Sequence, residues 1–329
     1  MAEEIESIFE DGLLSLFDHH PVAFSTPSPS DPYIYRPSPV PSSPHYDTPR
    51  TITLPDLQVP VYLPVAPSAL HSTLQLTHIW LSSVLMADLI FSHSIDIAPG
   101  SRVCELGAGA GLPSVAALLV GGGLGGKNDP ATNPQETGEQ NNPVQVVVTD
   151  YAVPETPNDR TSTGLAQPED VLGVLRHNLD LAFLLLSSSK PSHHLPPPTY
   201  SVLGHTWGEE TSTLLSSPSR PNSNPEPFDL ILLADLLWST SSHTTLITSL
   251  YSLLRPSTGV AHVIAGLHQG RGATERFKNG WKGMKGGWVR EVDEFRWGVG
   301  GWERFERVGG VEGDAERGVV VWFTVGRDV

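Results

Sequence analysis

The sequence predicts an α/β fold in which a sheet of seven mostly parallel strands carries helices on both faces and ends in one antiparallel edge hairpin. Short apolar, β-branched runs alternate with longer amphipathic runs along most of the chain, a pattern typical of parallel strands joined by crossover helices. Residues 103–111 also pass from an apolar run through Glu105 into three glycines at alternate positions. That order indicates a strand, a glycine turn and the start of a helix.

The remaining elements follow from the same periodicities. Apolar residues at helical spacing predict a helix over 73–91, which leads into the glycine turn. Strands are predicted at 101–106, 144–149, 200–204, 228–233, 259–266 and 319–325, with one more within 288–308. Helices are predicted near 112–120, 168–186, 240–254 and 272–284. The segments between them that are rich in Gly, Ser, Pro and Asn predict surface loops inserted into one domain: 121–143, 152–167, 187–198 and 211–227.

The chain divides into a tail, 1–55, and a folded domain, 56–329. With 329 residues it has the length of two average domains, but 30 prolines and 31 glycines indicate one domain with a tail and long loops. Residues 19–50 are rich in Pro and Ser and are predicted to have no fixed fold. Before them, apolar and acidic residues alternate at near-helical spacing, which fits either a short docking helix or a disordered acidic motif.

Composition excludes several classes of function. The chain has 20 basic and 36 acidic residues, a balance that disfavours nucleic-acid binding and suits a basic protein partner. Cys104 is the only cysteine and is expected to be a small buried residue rather than a reactive thiol. The histidine pairs lack further ligands at a metal spacing, so no metal is expected. No long apolar run or secretory signal is seen, so we expect a cytoplasmic protein without membrane contact.

Glu105 decides which ligand the glycine turn suits. Glycines at such a turn let a ligand lie against bare backbone. A dinucleotide would present its pyrophosphate there, and a carboxylate would repel it. S-adenosylmethionine (SAM) carries an ammonium and a sulfonium instead, so a carboxylate beside the turn favours this cationic ligand.

Two aspartates end later predicted strands. Asp150 follows the β-branched run 146–149 and could accept hydrogen bonds from the ribose hydroxyls of an adenosine ligand, although an aspartate that ends a strand is more often only a turn residue. Asp235 follows the apolar run 228–234. It either caps the helix that comes next or lies at the rim of the cleft, where it would orient an acceptor amine and stabilise the positive charge that develops on nitrogen during methyl transfer.

Tryptophans occur near the same predicted edge and again near the carboxyl terminus. Trp80, Trp207 and Trp238 could each fill the core, or together could stack on adenine and line a slot for a cation. The segment 271–307 mixes basic residues with four tryptophans. Acidic residues interrupt it, which favours a hairpin that completes the sheet over a nucleic-acid patch.

Taken together, these motifs resemble the seven-strand SAM-dependent methyltransferases with a Rossmann-like sheet that are related to nicotinamide N-methyltransferase. Within that family the chain looks most similar to the elongation factor 1-alpha N-terminal and lysine methyltransferases, because of the Leu-Pro after the glycines and the Thr-Asp-Tyr. The resemblance covers roughly 60–270 and is carried by residues 78–82, 105–113, 148–151, 178–179, 207–208 and 234–238.

The resemblance implies roles for individual positions. Glu105 and the glycines would hold the methionine part of SAM, Asp150 the ribose and Trp207 the adenine face, while Trp80 would pack beside the cofactor. The full set of implied cofactor-binding residues is Trp80, Glu105, Gly107, Ala108, Gly109, Gly111, Asp150, Tyr151, Asn178, Trp207 and Ala234. Asp235 and Trp238 are the implied catalytic residues; the family usually has Tyr where this chain has Trp238, which cannot accept a hydrogen bond.

Three functions remain open from the sequence. The first is a SAM-dependent N-methyltransferase, expected to be a monomer, that modifies a protein lysine or N-terminus, with elongation factor 1-alpha as the implied substrate. The second is a methyltransferase of small nicotinamide-like amines. The third is a noncatalytic interaction protein that keeps the fold.

Overall fold

The computed structural model describes residues 23–24, 31–42, 56–64, 78–124, 142–151, 170–189, 196–216, 225–268, 270–307, 316 and 318–329. The predicted docking helix near the amino terminus, the insertion 152–167 and the central part of the insertion 121–143 lie outside these residues. The helices are α1 (Leu81–Phe91), α2 (Leu112–Gly121), α3 (Val171–Ser188), α4 (Ser212–Leu215), α5 (His243–Leu253) and α6 (Arg271–Lys282).

The main sheet has eight strands. They are β5 (Arg102–Leu106), β6 (Gln145–Asp150), β7 (Thr199–Gly204), β8 (Leu230–Ala234), β9 (Val260–Gly266), β10 (Gly287–Gly298), β11 (Gly301–Arg304) and β12 (Val319–Arg327). Their order across the sheet is β11-β10-β12-β9-β8-β5-β6-β7. Strands β5 to β9 are parallel, and β10, β11 and β12 pair antiparallel at one end. The predicted α/β class and edge hairpin are confirmed, and the hairpin contributes an eighth strand.

Helices cover both faces of this sheet. Neighbouring residues of β5 point to opposite sides, so that Val103 belongs to the apolar cluster with α1, α2 and α3, and Cys104 to the cluster with α5 and α6. Cys104 is fully buried, as predicted, and burial raises the pKa of its thiol well above the usual value. All five residues of β5 and of β8 are buried. The strands that end at the candidate site therefore lie in the centre of the core.

The helix before the glycine turn does not run unbroken over 73–91 as predicted. It begins at Leu81, because Trp80 lies on a two-residue strand, β4 (Ile79–Trp80), which pairs with β1 (Ala23–Phe24), while 73–77 lie outside the described residues. Helical periodicity in the sequence could not show this start, because Ile79 and Trp80 suit a strand as well as a helix.

The prediction that 19–50 lacks a fixed fold differs from the structure at 31–42. Strand β2 (Tyr33–Tyr35) pairs with β3 (Val59–Val61), and the Tyr35 side chain is fully buried. Its hydroxyl donates a hydrogen bond of 2.6 Å to the carboxylate of Asp88 on α1, which also accepts bonds from the Ser38 amide (2.7 Å) and the Trp302 indole (2.7 Å). Burial raises the pKa of Asp88 to about 7 against the opposing effect of these donors. The high proline content of this segment gave no indication of the contact between Tyr35 and Asp88.

Two further segments differ from the sequence predictions. The predicted loop 211–227 contains the short helix α4. Among the helices of the described ranges, α3 is long and apolar enough to cross a membrane by length and composition, although no such run was predicted. Its stripe of Val171, Leu175, Leu179 and Leu186 is buried, its Arg176 and Asp180 are exposed, and it contacts α2, β6 and β7. This helix therefore covers one side of the sheet.

Candidate active site

A cavity of about 390 Å³ opens at the carboxyl ends of β5, β6 and β8. Parallel sheets bind ligands at this edge, because the loops that follow the strands diverge there. Every predicted site residue lines the cavity except Glu105 and Asn178. Those it brings together are Trp80, Gly107, Ala108, Gly109, Gly111, Asp150, Tyr151, Trp207, Ala234, Asp235 and Trp238.

The glycine turn forms one wall of the cavity. Gly107, Gly109 and Gly111 all have left-handed backbones, with φ of 61°, 56° and 74°, which glycine adopts without strain. A Cβ at Gly107 would lie 2.7 Å from Leu236 Cδ2 and 3.0 Å from Trp207 Cζ2, whereas a Cβ at Gly109 would meet nothing within 4 Å. Gly107 is therefore required by both space and dihedral angle, and Gly109 by its dihedral angle alone.

Asp150 lies at the end of β6, where the sequence placed it. Its Oδ2 accepts a 2.7 Å hydrogen bond from the Gly109 amide, and its Oδ1 accepts a 2.6 Å bond from the Tyr151 amide. Burial raises the pKa of Asp150, and both amides oppose that rise by stabilising the carboxylate. Each carboxylate oxygen keeps one lone pair, so Asp150 can fix the glycine turn and still accept a hydrogen bond from a hydroxyl in the cavity.

Glu105 does not reach the cavity, which corrects its predicted place beside the ligand. Its side chain is buried behind the turn, where Oε2 accepts a 2.9 Å bond from the Ser114 amide and a bond from the Ser114 hydroxyl. Ser114 is in the first turn of α2, whose free amides attract a carboxylate. Burial raises the pKa of Glu105 to about 8, although both Ser114 bonds oppose the rise. Glu105 thus anchors the helix that follows the turn.

Asn178 also lies outside the cavity, contrary to its implied contact with the cofactor. Its amide nitrogen donates 2.9 Å bonds to the carbonyls of Tyr62 and Ala110, and its oxygen accepts a 2.8 Å bond from the Tyr62 amide. One buried side chain therefore joins α3 to the glycine turn and to the segment after β3. Its effect on a ligand would be exerted through the backbone at Ala110.

Trp207 is held over the glycine turn by a loop anchored to α5. The Ser249 hydroxyl accepts a 2.8 Å bond from the Gly208 amide and lies 2.9 Å from His205 Nε2. Burial lowers the pKa of His205, which favours the neutral ring at this contact. Sequence analysis missed both residues because neither belongs to a motif, although His205 directly follows a strand.

Asp235 has a left-handed backbone conformation that the surrounding fold holds in place. Its φ is +59°, a left-handed value that costs a non-glycine residue on the order of 1 kcal/mol. The Asp235 amide donates a 2.8 Å bond to the Ile264 carbonyl, and its Oδ1 accepts a 3.0 Å bond from the Gly266 amide. The residues that precede the 3₁₀ turn 240–242 and α5 are Ser239 and Ser242. The helix-cap alternative for Asp235 is therefore wrong, and the residue lines the cavity instead.

His268 is the largest omission of the sequence analysis. Its Nε2 lies 2.9 Å from Oδ2 and 3.1 Å from Oδ1 of Asp235, and its ring packs edge-on against Trp80 with a centroid distance of 5.1 Å. It follows β9 by two residues, so the rule that selected Asp150 and Asp235 at strand ends would also have found it. Burial alone lowers the pKa of His268, but the attraction of Asp235 outweighs burial and raises it.

The cavity thus has two chemically different ends. Near β5 and β6 it offers bare backbone, the indole of Trp207 and the carboxylate of Asp150. Near β8 and β4 it is lined by Asp235, Trp80 and Trp238. A buried carboxylate beside aromatic faces stabilises a cation, so this second end suits an amine that becomes positively charged.

Comparison with known proteins finds curated relatives that are named as N-methyltransferases. No family model matches the chain. It is 26% identical over 201 residues to a protein of Candida albicans named protein N-terminal and lysine N-methyltransferase EFM7, which covers 60% of each chain. It is 27% identical over 182 residues to the protein of the same name from Gibberella zeae, covering 55% of this chain and 53% of that one. The chain therefore spans less than two thirds of these curated relatives.

The chain is less similar in sequence to solved structures than to these curated relatives. Precorrin-6y C5,15-methyltransferase from Geobacter metallireducens is 11% identical, with a TM-score of 0.38, and the match covers 76% of this chain and 88% of that one. The resemblance predicted from the motifs is confirmed by the curated relatives, which carry the name of protein N-terminal and lysine N-methyltransferases.

Proposed function

We propose that this protein is a SAM-dependent N-methyltransferase that modifies a protein amine, either a lysine side chain or a free N-terminus. The observation that carries the proposal is Asp235, whose carboxylate is held in the same cavity as the glycine turn. The names of the curated relatives support the reaction and the protein acceptor.

The residues of the cavity fit SAM by an observation independent of those names. Gly107 cannot carry a Cβ without a collision with Leu236, so the turn presents bare backbone to the cavity, against which a ligand can lie. Asp150 has acceptor capacity for ribose hydroxyls, and Trp207 offers a flat face for adenine. When bound, SAM supplies an electrophilic methyl group on a sulfonium.

The chain itself then has to position the acceptor. The amine must present a neutral lone pair in line with the methyl carbon, so orientation supplies much of the rate. Asp235 can accept a hydrogen bond from the amine and stabilise the positive charge that forms on its nitrogen. Trp80 and Trp238 line this end of the cavity, and aromatic rings beside the acceptor would stabilise the charged product.

The substrate is proposed from the motif resemblance, which points to elongation factor 1-alpha. The acidic composition of the chain, with 36 acidic against 20 basic residues, suits a basic protein acceptor. Cytoplasmic location and a monomeric state stay predictions from the sequence. The small-molecule alternative is favoured only by the resemblance to nicotinamide N-methyltransferase.

The test is transfer of labelled methyl from SAM into a lysate from cells that lack this protein. Wild type is compared with Asp235→Ala, and SAM binding is measured for both by calorimetry. A labelled protein band that requires Asp235, with SAM binding retained in the variant, supports the proposal, and mass spectrometry of the band locates the modified amine. Label confined to small molecules would select the small-molecule alternative, and the absence of any transfer would contradict an enzymatic function.

A further inference from the structure

The Asp235 carboxylate is held from two sides. The Gly266 amide binds Oδ1 at 3.0 Å, and His268 Nε2 lies within hydrogen-bond distance of both oxygens, at 2.9 and 3.1 Å. The left-handed backbone of Asp235 fixes its Cα, but it leaves the carboxylate free to rotate about the bond to Cβ. The two hydrogen-bond donors hold the oxygens in the orientation that the structure shows.

His268 is itself fixed in place by its neighbours. Its ring stands edge-on against Trp80 at 5.1 Å and lies over the backbone of Gly266, where an added Cβ would come within 2.5 Å of Nε2. The His268 side chain is only 20% exposed and that of Asp235 only 5%. The pair therefore forms a rigid unit at the acceptor end of the cavity, and Trp80, which lines the cavity, packs on it.

The protonation of His268 changes what an acceptor would encounter. A neutral ring that carries its hydrogen on Nε2 donates to Asp235 and leaves the carboxylate with its full negative charge. A doubly protonated ring has the same geometry but cancels that charge, and the low dielectric of a buried site makes the loss larger. Two further groups bear on the charge here: His78 lines the same cavity with its ring 6.0 Å from that of Trp80, and Arg271, at the start of α6, is paired with Glu294 and Glu316.

We propose that His268 is a positioning residue for methyl transfer: it orients the Asp235 carboxylate toward the acceptor amine and sets how much negative charge the amine meets. This inference rests on the proposed function. It assigns no proton transfer from substrate to His268, because the ring contacts the cavity through Asp235. As pH falls, His268 gains a proton and Asp235 loses effective charge, so the rate at low acceptor concentration falls with it.

Two substitutions separate geometry from charge. His268→Phe keeps the aromatic ring against Trp80 and removes the donor, whereas His268→Gln offers an amide donor at about the position of Nε2 and cannot become charged. We expect His268→Phe to lower kcat/KM for the acceptor by at least tenfold at pH 8.5, with SAM affinity changed by less than about threefold. His268→Gln is expected to retain activity within about threefold and to show a weaker decline toward pH 6.

A direct readout of the pair complements the kinetics. Nuclear magnetic resonance of the His268 ring should give a pKa above that of an ordinary imidazole in the wild type and below it in Asp235→Asn, because only the effect of burial then remains. His243→Gln is the matched control: His243 also stands edge-on to an aromatic ring, but it is buried and bonds to the Leu237 carbonyl. That variant should leave the pH profile of transfer unchanged.

The outcomes distinguish this inference from the proposed function. If wild type methylates protein but both His268 variants lose activity equally, or keep the wild-type pH profile, the role of His268 is overturned and the function stands. A parallel loss of SAM affinity would mean that His268 supports the whole cavity instead, which also overturns the role. If wild type transfers no methyl group to protein, both proposals fall together.

Discussion

The two ends of the cavity achieve their shape in opposite ways. At the glycine end, bare backbone forms one wall of the cavity beside Asp150 and Trp207, and the side chains of Glu105 and Asn178, buried outside the cavity, hold the turn and the helix after it. At the acceptor end, Asp235 lines the cavity, and hydrogen bonds to the backbone of Ile264 and Gly266 hold it in place. Glycine-end substitutions should therefore affect cofactor affinity, and acceptor-end substitutions should affect transfer.

The largest effect should come from Asp235→Asn. The amide keeps an oxygen for the Gly266 bond but has no charge to stabilise the acceptor nitrogen, so we expect kcat to fall by roughly 10²–10³-fold. Equilibrium binding of SAM should change by less than about threefold. Single-turnover transfer and calorimetry measure the two quantities, and a proportional loss of SAM affinity would contradict the division between the two ends.

The next effect tests the glycine end. Gly107→Ala places a Cβ 2.7 Å from Leu236 Cδ2 in a left-handed backbone, while Gly109→Ala meets only the dihedral strain. We expect SAM affinity to fall about 10–100-fold for Gly107→Ala and about fivefold for Gly109→Ala, since strain alone amounts to on the order of 1 kcal/mol. Titration calorimetry ranks the two. Equal losses would show that the close approach at Gly107 is unimportant.

Glu105→Gln should change how stability depends on pH. The pKa of Glu105 is about 8 in the fold, above its value in the unfolded chain, so the folded state binds more protons and wild-type stability falls as pH rises through about 8. The free energy of unfolding of the wild type should fall by about 1.4 kcal/mol relative to the variant between pH 7 and pH 9.

Urea unfolding at a series of pH values measures that difference. Glu306→Gln, at an exposed position, is the control and should follow the wild type throughout. A Glu105→Gln curve parallel to that of the wild type would mean that this carboxylate keeps an ordinary pKa and is not sealed behind the turn.

The smallest effect belongs to the loop that carries Trp207. Ser249→Ala removes the hydroxyl that binds the Gly208 amide and His205, and we expect a two- to fivefold loss of SAM affinity with kcat unchanged, about 1 kcal/mol or less. Ser252→Ala on the same helix removes only an exposed bond to the Thr248 carbonyl and should have no effect. A change in kcat for Ser249→Ala would mean that Trp207 also shapes the acceptor end.

The sequence predicted those site residues whose position follows from strand ends. Asp150 and Asp235 end parallel strands, and parallel strands end at one edge, so their meeting required no knowledge of side-chain direction. The predicted contact of Glu105 with the ligand was wrong because Glu105 precedes the end of its strand, and every residue of β5 is buried. A sequence does not show on which side of the turn a carboxylate emerges.

The other differences between sequence and structure have separate physical causes. The resemblance placed Asn178 at the cofactor, but its amide bonds to carbonyls 116 and 68 residues away, and no local pattern indicates such partners. His268 could have been predicted from its place after β9, but a lone histidine carries no motif. The contact of 31–42 with α1 depends on Tyr35 and Asp88, whereas the proline-rich composition around them indicated only an open chain.

The three donors around Asp88 are synthesised at different times, and this determines the order in which their hydrogen bonds can form. Tyr35 and Ser38 leave the ribosome before Asp88, but Trp302 follows it by 214 residues. The amino-terminal segment can therefore dock on α1 early, while the last indole donor arrives only with the edge hairpin. One carboxylate therefore joins residues 35–38 to Trp302, and its hydrogen bonds are complete only after the edge hairpin has been synthesised.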